Sequence, residues 1–328
     1  MKDILITGGN GFLGQRLARE LLRRSEAGWK TGHKPPDRIV LIDVARPQTG
    51  MADPRVRFAI GDAADPQFVR ETLSNNTDGI FHLAAVVSSA AEANFDLGMR
   101  VNLDGTRTLL EACRRLPRPP RLVFASSLAV FGPPLPEVVT DATTPTPQSS
   151  YGAQKLIGEL LVADFTRKRF VDGRVVRLPT VSIRPGKPNA AASSFASSIL
   201  REPLNGQETV CPVEPDTALW LISPRFAVDC LLHAFDLPSQ KIDARRPINL
   251  PGFTVTVGEM IAALERTAGA AALKRIRWQP DPRVGAIVGT WPARFETARA
   301  ESLGFPRDER GFDGNIADYL NEEGIELS

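Results

Sequence analysis

Short apolar runs alternate with longer amphipathic stretches through the first half of the chain. The apolar runs predict strands at Asp3–Thr7, Arg38–Asp43, Val56–Ile60, Gly79–Leu83, Arg121–Ser126 and Arg174–Leu178. Between them, apolar residues recur at helical spacing in Gly11–Arg24, Pro66–Leu73, Phe95–Arg115 and Tyr151–Arg169. Strands that alternate with helices indicate βαβ units. The pattern therefore predicts an α/β fold, with a doubly wound parallel sheet of about seven strands and helices on both faces.

The alternation changes after about Pro179. The stretch 183–198 is polar, rich in small side chains and without a strand pattern. The later predicted elements are short and mixed: helices near Phe226–Phe235, Val257–Ala268, Ala293–Leu303 and Phe312–Asn321, and a strand near Ile248–Leu250. We expect a Rossmann domain made of 1–180 and roughly 218–250. A smaller mixed α/β domain of 181–217 and 251–328 is expected to bind the substrate as a lid.

Composition and charge exclude several classes of protein. The chain has 328 residues, 42% of them hydrophobic and 24% charged, which is typical of a soluble globular protein. No apolar run approaches the ~18 residues of a membrane span. Forty basic and 38 acidic residues leave a net charge of +2, which favours neither nucleic acid nor a membrane surface as a partner. The first residues do not resemble a secretory signal, so we expect a cytoplasmic location.

Cysteine and histidine are few and scattered. Cys113, Cys211 and Cys230 are odd in number and widely spaced, which predicts buried free thiols rather than a disulfide framework or a zinc site. The three histidines at positions 33, 82 and 233 are equally dispersed. We therefore expect no metal site and no histidine-based catalytic triad.

A glycine-rich segment, TGGNGFLG at Thr7–Gly14, follows the first predicted strand and opens the first predicted helix. Gly8 allows a tight turn, Gly11 allows the backbone to approach a pyrophosphate, and Gly14 allows close packing of helix on strand. The helix N-terminus, at Phe12 and Leu13, offers free N–H groups to the anion. A plain glycine turn is the alternative, but strand, spacing and helix together predict dinucleotide binding.

Two carboxylates follow the next predicted strands. Asp43 can accept hydrogen bonds from both hydroxyls of an adenosine ribose and would repel a 2′-phosphate, which favours NAD over NADP. A solvated carboxylate at a strand end is the alternative. Asp62 and Ala63 lie where the adenine amino group could be bound.

Ser127, Tyr151 and Lys155 form the candidate catalytic set. Tyr151 and Lys155 are four residues apart at the start of a predicted helix, so both face the same side. An ammonium close to the phenol favours the phenolate, and a cationic nicotinamide ring adds to this effect. Ser127 follows the fifth predicted strand and could orient a reacting hydroxyl. The set predicts an acid–base unit that removes an alcohol proton during hydride transfer to NAD.

These motifs, with HLAA at His82–Ala85, VNLDGT around Asn102, SSLAVFG at Ser126–Gly132 and YGAQK at Tyr151–Lys155, resemble the extended short-chain dehydrogenase/reductase family over essentially the whole chain. The resemblance implies that Tyr151 is the acid–base and that Ser127, rather than Ser126, is the catalytic serine. It also implies roles for Leu83, Ala84 and Ala85 along the cofactor, for Asn102 as a support of the adjoining helix and strand, and for Leu178 beneath the nicotinamide.

Residues 147–161 and 177–204 are similar to family members that oxidise the C2 hydroxyl of a four-carbon sugar acid with NAD. A substrate carboxylate needs a cation or several donors, and Arg184 is the leading candidate. Lys187, Asn189, Ser193 and Ser194 follow it, and Ser88 could line the opposite wall. A nucleotide-sugar epimerase or dehydratase is the alternative enzyme, and a non-catalytic NAD-binding protein is the alternative of another class. A homodimer through the helices 95–115 and 151–169 is expected.

Overall fold

A seven-stranded sheet, parallel throughout, organises the larger lobe of the protein. The computed structural model describes residues 2–27, 35–47, 50–186, 191–243 and 247–326. In spatial order, the strands are Pro247–Asn249, Asp172–Leu178, Arg121–Ser127, Thr77–His82, Asp3–Thr7, Arg38–Asp43 and Val56–Ile60. The chain order reverses beside Asp3–Thr7, and at such a switch point the carboxyl ends of the strands leave a crevice for a ligand.

Helices cover both faces of this sheet. Phe12–Ala27 and Pro224–Asp236 pack on one face, where Leu17, Leu21 and Leu231 join the buried strand residues. Gly105–Cys113 and Ser150–Arg167 pack on the other face, through residues that include Leu109 and Val162. Among the described residues, the remaining α-helices before Asp172 are Pro66–Thr72, Ser88–Ala93 and Phe95–Gly98. Burial on both faces explains why the strands are almost continuously apolar.

The smaller lobe has its own hydrophobic core. Thr180–Val181, Ala218–Ile222 and Phe253–Thr256 form a three-stranded mixed sheet, and Thr209–Cys211 pairs with Ile276–Trp278. The helices after residue 190, other than Pro224–Asp236, are Phe195–Leu204, Val257–Ala268, Ala270–Leu273, Pro282–Val288, Ala298–Ser302 and Gly311–Glu323. Ile199, Leu219, Met260, Leu264 and Ile316 are among the buried residues that hold these elements together.

Two segments pack on a different lobe from the one that the sequence predicts. Residues 218–222, expected in the Rossmann domain, belong to the three-stranded sheet because Leu219 and Leu221 are buried in the second core. Residues 298–305, expected in the lid, pack on the larger lobe through Ala300 and Phe305. With 218–222 and 298–305 reassigned in this way, the division into a Rossmann domain and a substrate-binding domain stays a prediction.

Three expected segments also differ in detail. The helix expected over Phe95–Arg115 contains a π-helical turn, Met99–Asp104, between two α-helical parts. The stretch 183–198, which has no strand pattern, ends in the first turn of the helix Phe195–Leu204. The helix expected over Ala293–Leu303 shortens to Ala298–Ser302, because the backbone around Phe295 pairs instead with Val139. None of the described helices is long and apolar enough to cross a membrane.

Candidate active site

The glycine segment forms a tight turn at the carboxyl end of the first strand. Gly8 has φ +67°, a conformation that disfavours side chains, and Gly11 N donates to Gly8 O at 3.1 Å. A Cβ on Gly14 would lie 2.3 Å from Gly8 O, so only glycine lets the helix pack this close to the strand. On Gly11, a Cβ would meet only Gly8 O, at 3.1 Å, and its other side is open. The turn therefore leaves room for a pyrophosphate at the helix N-terminus.

This turn opens onto a cleft of about 380 Å³ that both lobes line. The predicted site residues on its walls are Gly8, Gly11, Phe12, Leu13, Gly14, Leu83, Ala85, Ser88, Ser127, Tyr151, Lys155, Leu178 and Arg184. The structure thus brings the glycine turn, the candidate catalytic set and the candidate carboxylate-binding arginine into one space.

The predicted residues for the adenosine end lie beyond that cleft. The Asp43 carboxylate is fixed at its strand end by the backbone N–H groups of Asn10 and Ala45, each at 3.1 Å. Asp62 forms an ion pair with Arg100, and its carboxylate also accepts the N–H of Ala64 at 2.8 Å.

Two predicted cofactor-binding residues, Ala84 and Asn102, occupy supporting positions. Ala84 N lies against the glycine turn and donates to Thr7 Oγ1 at 3.2 Å. Asn102 is buried in the π-helical turn and does not line the cleft. Its amide donates to Val86 O at 3.0 Å and to Gln154 Oε1 at 2.7 Å, and its oxygen accepts Val86 N at 2.8 Å. Asn102 therefore fixes the loop beside the cofactor site, rather than pointing into it.

His82 is a structural residue of the sheet. Its ring lies between the hydroxyls of Thr7, at 2.6 Å, and Thr106, at 2.9 Å. Burial, together with the charge of Lys155, lowers the pKa of His82 to about 3. The ring is therefore neutral at physiological pH.

Strand and helix ends bring the catalytic candidates together. Ser127 is the last residue of its strand, and Tyr151 and Lys155 lie in the first turns of the helix that Ser149 caps. The Ser127 hydroxyl accepts the backbone N–H of Ala129 at 3.1 Å and lies close enough to Tyr151 to act on the pKa of the phenol. Lys155 Nζ donates to the carbonyl oxygen of Ala125 at 2.9 Å and lies 5.8 Å from the centre of the Tyr151 ring.

The electrostatics of this set differ from the sequence-based expectation. Burial raises the pKa of Tyr151 to about 12, although the Ser127 hydrogen bond and the charge of Arg184 both act to lower it. Burial lowers the pKa of Lys155 to about 8, and the charge of Glu159 opposes that effect. Arg184 therefore acts on the phenol as a cation, while the Lys155 ammonium, 5.8 Å from the ring centre, is turned toward a backbone carbonyl.

Arg184 faces the cleft from the loop that follows the strand Thr180–Val181. Its backbone is held on both sides, since its N–H donates to Ser197 Oγ at 3.0 Å and its carbonyl accepts Arg201 Nη1 at 2.7 Å. Burial and the charge of Arg201 lower the pKa of the guanidinium. Within the part of the chain that the structure describes, no carboxylate pairs with it. It is thus a fixed cation available to an anionic ligand.

Ser88 joins the two walls of the cleft, because its hydroxyl accepts the N–H of Ala192 at 3.2 Å. Ser193 and Ser194 also line the cleft. Lys187 and Asn189 lie outside the described residues. Two further lining residues, Arg201 and Trp291, were not predicted as site residues, because neither belongs to a recognisable motif and both enter through packing of the smaller lobe.

Comparison with known proteins identifies the family of the chain. Residues 4–217 match the NAD dependent epimerase/dehydratase family. The chain is 54% identical to D-erythronate dehydrogenase from Cupriavidus necator over 323 residues, which is 98% of this chain and 99% of that protein. It is 48% identical to D-erythronate dehydrogenase from Haemophilus influenzae, over 93% of this chain and 95% of that protein.

Among solved structures, one described as a nucleoside-diphosphate-sugar epimerase from Agrobacterium tumefaciens superposes with a TM-score of 0.91. It is 42% identical, and the match covers 100% of this chain and 97% of that one. The predicted fold, the NAD cofactor and the oxidoreductase class are confirmed. The chain belongs to the NAD-dependent epimerase/dehydratase family.

Proposed function

We propose that this protein is a D-erythronate dehydrogenase, which oxidises the C2 hydroxyl of D-erythronate to the 2-keto acid with NAD as the hydride acceptor. Two relatives of that name, similar over nearly the whole chain, support the substrate. The observation that carries the proposal is that Tyr151 and Arg184, whose guanidinium has no carboxylate partner among the described residues, line one cleft of about 380 Å³.

Arg184 suits the carboxylate of a short 2-hydroxy acid. A guanidinium presents two parallel N–H donors that match a carboxylate in geometry and charge. In such a substrate the reacting carbon is directly bonded to the carboxyl carbon. Binding of the carboxylate by Arg184 therefore brings the C2 hydroxyl toward Tyr151, whose pKa the same arginine already influences.

The residues of the cleft have separate roles in this reaction. Tyr151 removes the proton of the C2 hydroxyl, Ser127 orients that hydroxyl, and Lys155 holds the nicotinamide ribose. When bound, NAD accepts the hydride from C2, and its positively charged ring favours the Tyr151 phenolate. Asp43, already fixed by two backbone N–H groups, would select NAD by binding the adenosine ribose hydroxyls.

The test is NADH formation by the purified protein. The substrates are D-erythronate, L-erythronate, D-threonate and L-threonate, each with NAD or NADP. Rapid NADH formation with D-erythronate is expected. In Tyr151→Phe, turnover should fall by about 10²–10⁴-fold while calorimetry still detects NAD binding. Near-normal turnover of this variant would assign the base to another group.

A nucleotide-sugar epimerase is the second candidate, favoured by the description of the similar Agrobacterium structure. Such an enzyme would interconvert UDP-galactose and UDP-glucose, retain its NAD and release no NADH. Adding UDP-galactose to the same assay separates the two activities, because only the dehydrogenase accumulates NADH.

We further propose a homodimer and a cytoplasmic location. The helices Phe95–Gly98 and Ser150–Arg167 expose apolar side chains on the larger lobe: Phe95 is 58% exposed, Ile157 38% and Leu160 64%. The two helices contact each other, and an apolar patch shared by neighbouring elements is typical of a protein–protein interface. A second copy of this chain is the occupant that we propose.

A further inference from the structure

Three side chains on the helix that carries the catalytic tyrosine meet consecutive residues of the neighbouring strand. Tyr151, Lys155 and Glu159 are spaced four residues apart, so they share one helix face. Lys155 Nζ donates to the carbonyl oxygen of Ala125 at 2.9 Å, and the hydroxyl of Ser126 donates to Glu159 Oε1 at 2.5 Å. Glu159 therefore extends the catalytic face by one helical turn.

The Glu159 carboxylate is buried and held in one orientation. Only 2% of Glu159 is exposed. Arg177, from the next strand, donates Nε to Oε1 at 2.9 Å and Nη2 to Oε2 at 2.7 Å. With Ser126, the carboxylate accepts three hydrogen bonds, two of them in the parallel arrangement typical of strong ion pairs.

Lys155 is also buried, with 3% of its surface exposed, and its surroundings contain few charges that could balance its own. Among the described residues, five titratable groups lie on the cleft side of the elements around it: Tyr151; His82, which is neutral; Arg177, which is bound to Glu159; Arg184, which acts on Tyr151; and Glu92, which accepts the backbone N–H of Ser150. Other charged groups on these elements form ion pairs of their own: Arg100 with Asp62, Asp104 with Arg107, and both Arg121 and Arg174 with Asp172. Glu159 is the carboxylate whose charge acts on Lys155.

We propose that Glu159 is a positioning residue for the reaction: fixed by Arg177 and Ser126, it is the counter-charge that keeps Lys155 an ammonium beside Tyr151. The proposal rests on the catalytic role given to Lys155 above, but not on the identity of the substrate. It also accounts for a fully buried ion pair, which contributes little to stability compared with apolar residues of the same size.

Glu159→Gln tests the proposal, since glutamine retains the shape of the side chain and one acceptor oxygen and removes the charge. Two quantities are measured as a function of pH. One is kcat/KM with the substrate that the wild-type protein oxidises. The other, in the free enzyme, is the ¹³Cε resonance of Lys155, identified by its loss in Lys155→Arg. Both alkaline midpoints should move about 1–3 pH units lower, because an opposite charge close to an ammonium favours the charged form by that amount.

Three further variants separate charge from structure. Glu159→Gln/Arg177→Met removes both buried charges, leaves no unpaired guanidinium, and should have a midpoint between those of Glu159→Gln and wild type. Ser126→Ala keeps the charge and should leave the midpoint in place. Asp164→Asn removes an exposed carboxylate from the same helix and should also have no effect.

If Lys155 titrates at the wild-type pH in both Glu159→Gln and the double variant, Glu159 is not its counter-charge. If Glu159→Gln does not fold, a wild-type midpoint in the double variant alone overturns the proposal. If the midpoint shifts as expected but the wild type does not oxidise D-erythronate, the positioning role stands and the proposed substrate fails.

Discussion

At the scale of single residues, Arg184 combines two functions that are usually separate. Among the described residues it has no carboxylate partner, and its charge also acts to lower the pKa of Tyr151, which burial raises. A carboxylate bound to Arg184 would offset part of that effect. Substrate binding and the pKa of Tyr151 are therefore electrostatically linked.

Replacing Arg184 by methionine should therefore impair binding and chemistry together. The loss of a charge-assisted hydrogen bond, about 1.5–3 kcal/mol, predicts an about 10- to 150-fold higher KM for D-erythronate. The kcat should fall most at neutral pH and partly recover at higher pH, because the phenol loses the cation that lowers its pKa. Steady-state kinetics from pH 6 to 10 measure both effects. Arg225→Met, which removes an exposed arginine, is the control. An unchanged KM in Arg184→Met would exclude this arginine as the carboxylate ligand.

At the scale of secondary-structure elements, the contact between the first strand and the first helix decides whether NAD can bind. Gly14→Ala would place a Cβ 2.3 Å from Gly8 O and 2.7 Å from Gly9 Cα, so the helix must move away from the turn. We expect lower thermal stability and a loss of NAD affinity that calorimetry can measure.

Gly285→Ala is the matched control: it lies within the helix Pro282–Val288, where a Cβ meets nothing within 4 Å. This change should leave NAD binding intact and stabilise the fold by about 0.5–1 kcal/mol. Equal NAD affinity in both variants would contradict the assignment of the glycine turn.

At the scale of the whole molecule, the proposed dimer can be tested on its exposed apolar surface. Leu160→Glu places a charge at the most exposed position of that surface and should convert a dimer into a monomer in light scattering coupled to size-exclusion chromatography. Val210→Glu, on the smaller lobe, is the control and should leave the mass unchanged. A wild-type protein that is monomeric at micromolar concentration would refute the dimer.

The sequence predicts those parts of the site that are local in the chain. The glycine turn and the pair Tyr151 and Lys155 depend on spacings of a few residues. Within one turn or one helix, such a spacing determines which side chains point to the same side. The buried ion pair was not predicted, because Glu159 and Arg177 come from different elements. Nothing in the local sequence distinguishes Arg177 from other arginines in strands. Trp291 was missed for the same reason: only the packing of the smaller lobe brings it to the cleft. The pKa of Tyr151 could not be predicted either, since burial, its largest cause, is a property of the assembled fold.

The chain passes from the large sheet into the smaller one within a few residues, and that crossing lies in the wall of the cleft. The large-sheet strand ends at Leu178, the smaller sheet begins at Thr180, and the proposed carboxylate ligand follows at Arg184. The proposed catalytic set and the proposed carboxylate ligand therefore lie in two separate stretches of the chain, roughly 121–155 and 180–204. A chimera that carries a relative's version of the second stretch would measure how much of the substrate preference that stretch determines, since Ser88 and Trp291 line the cleft from outside it.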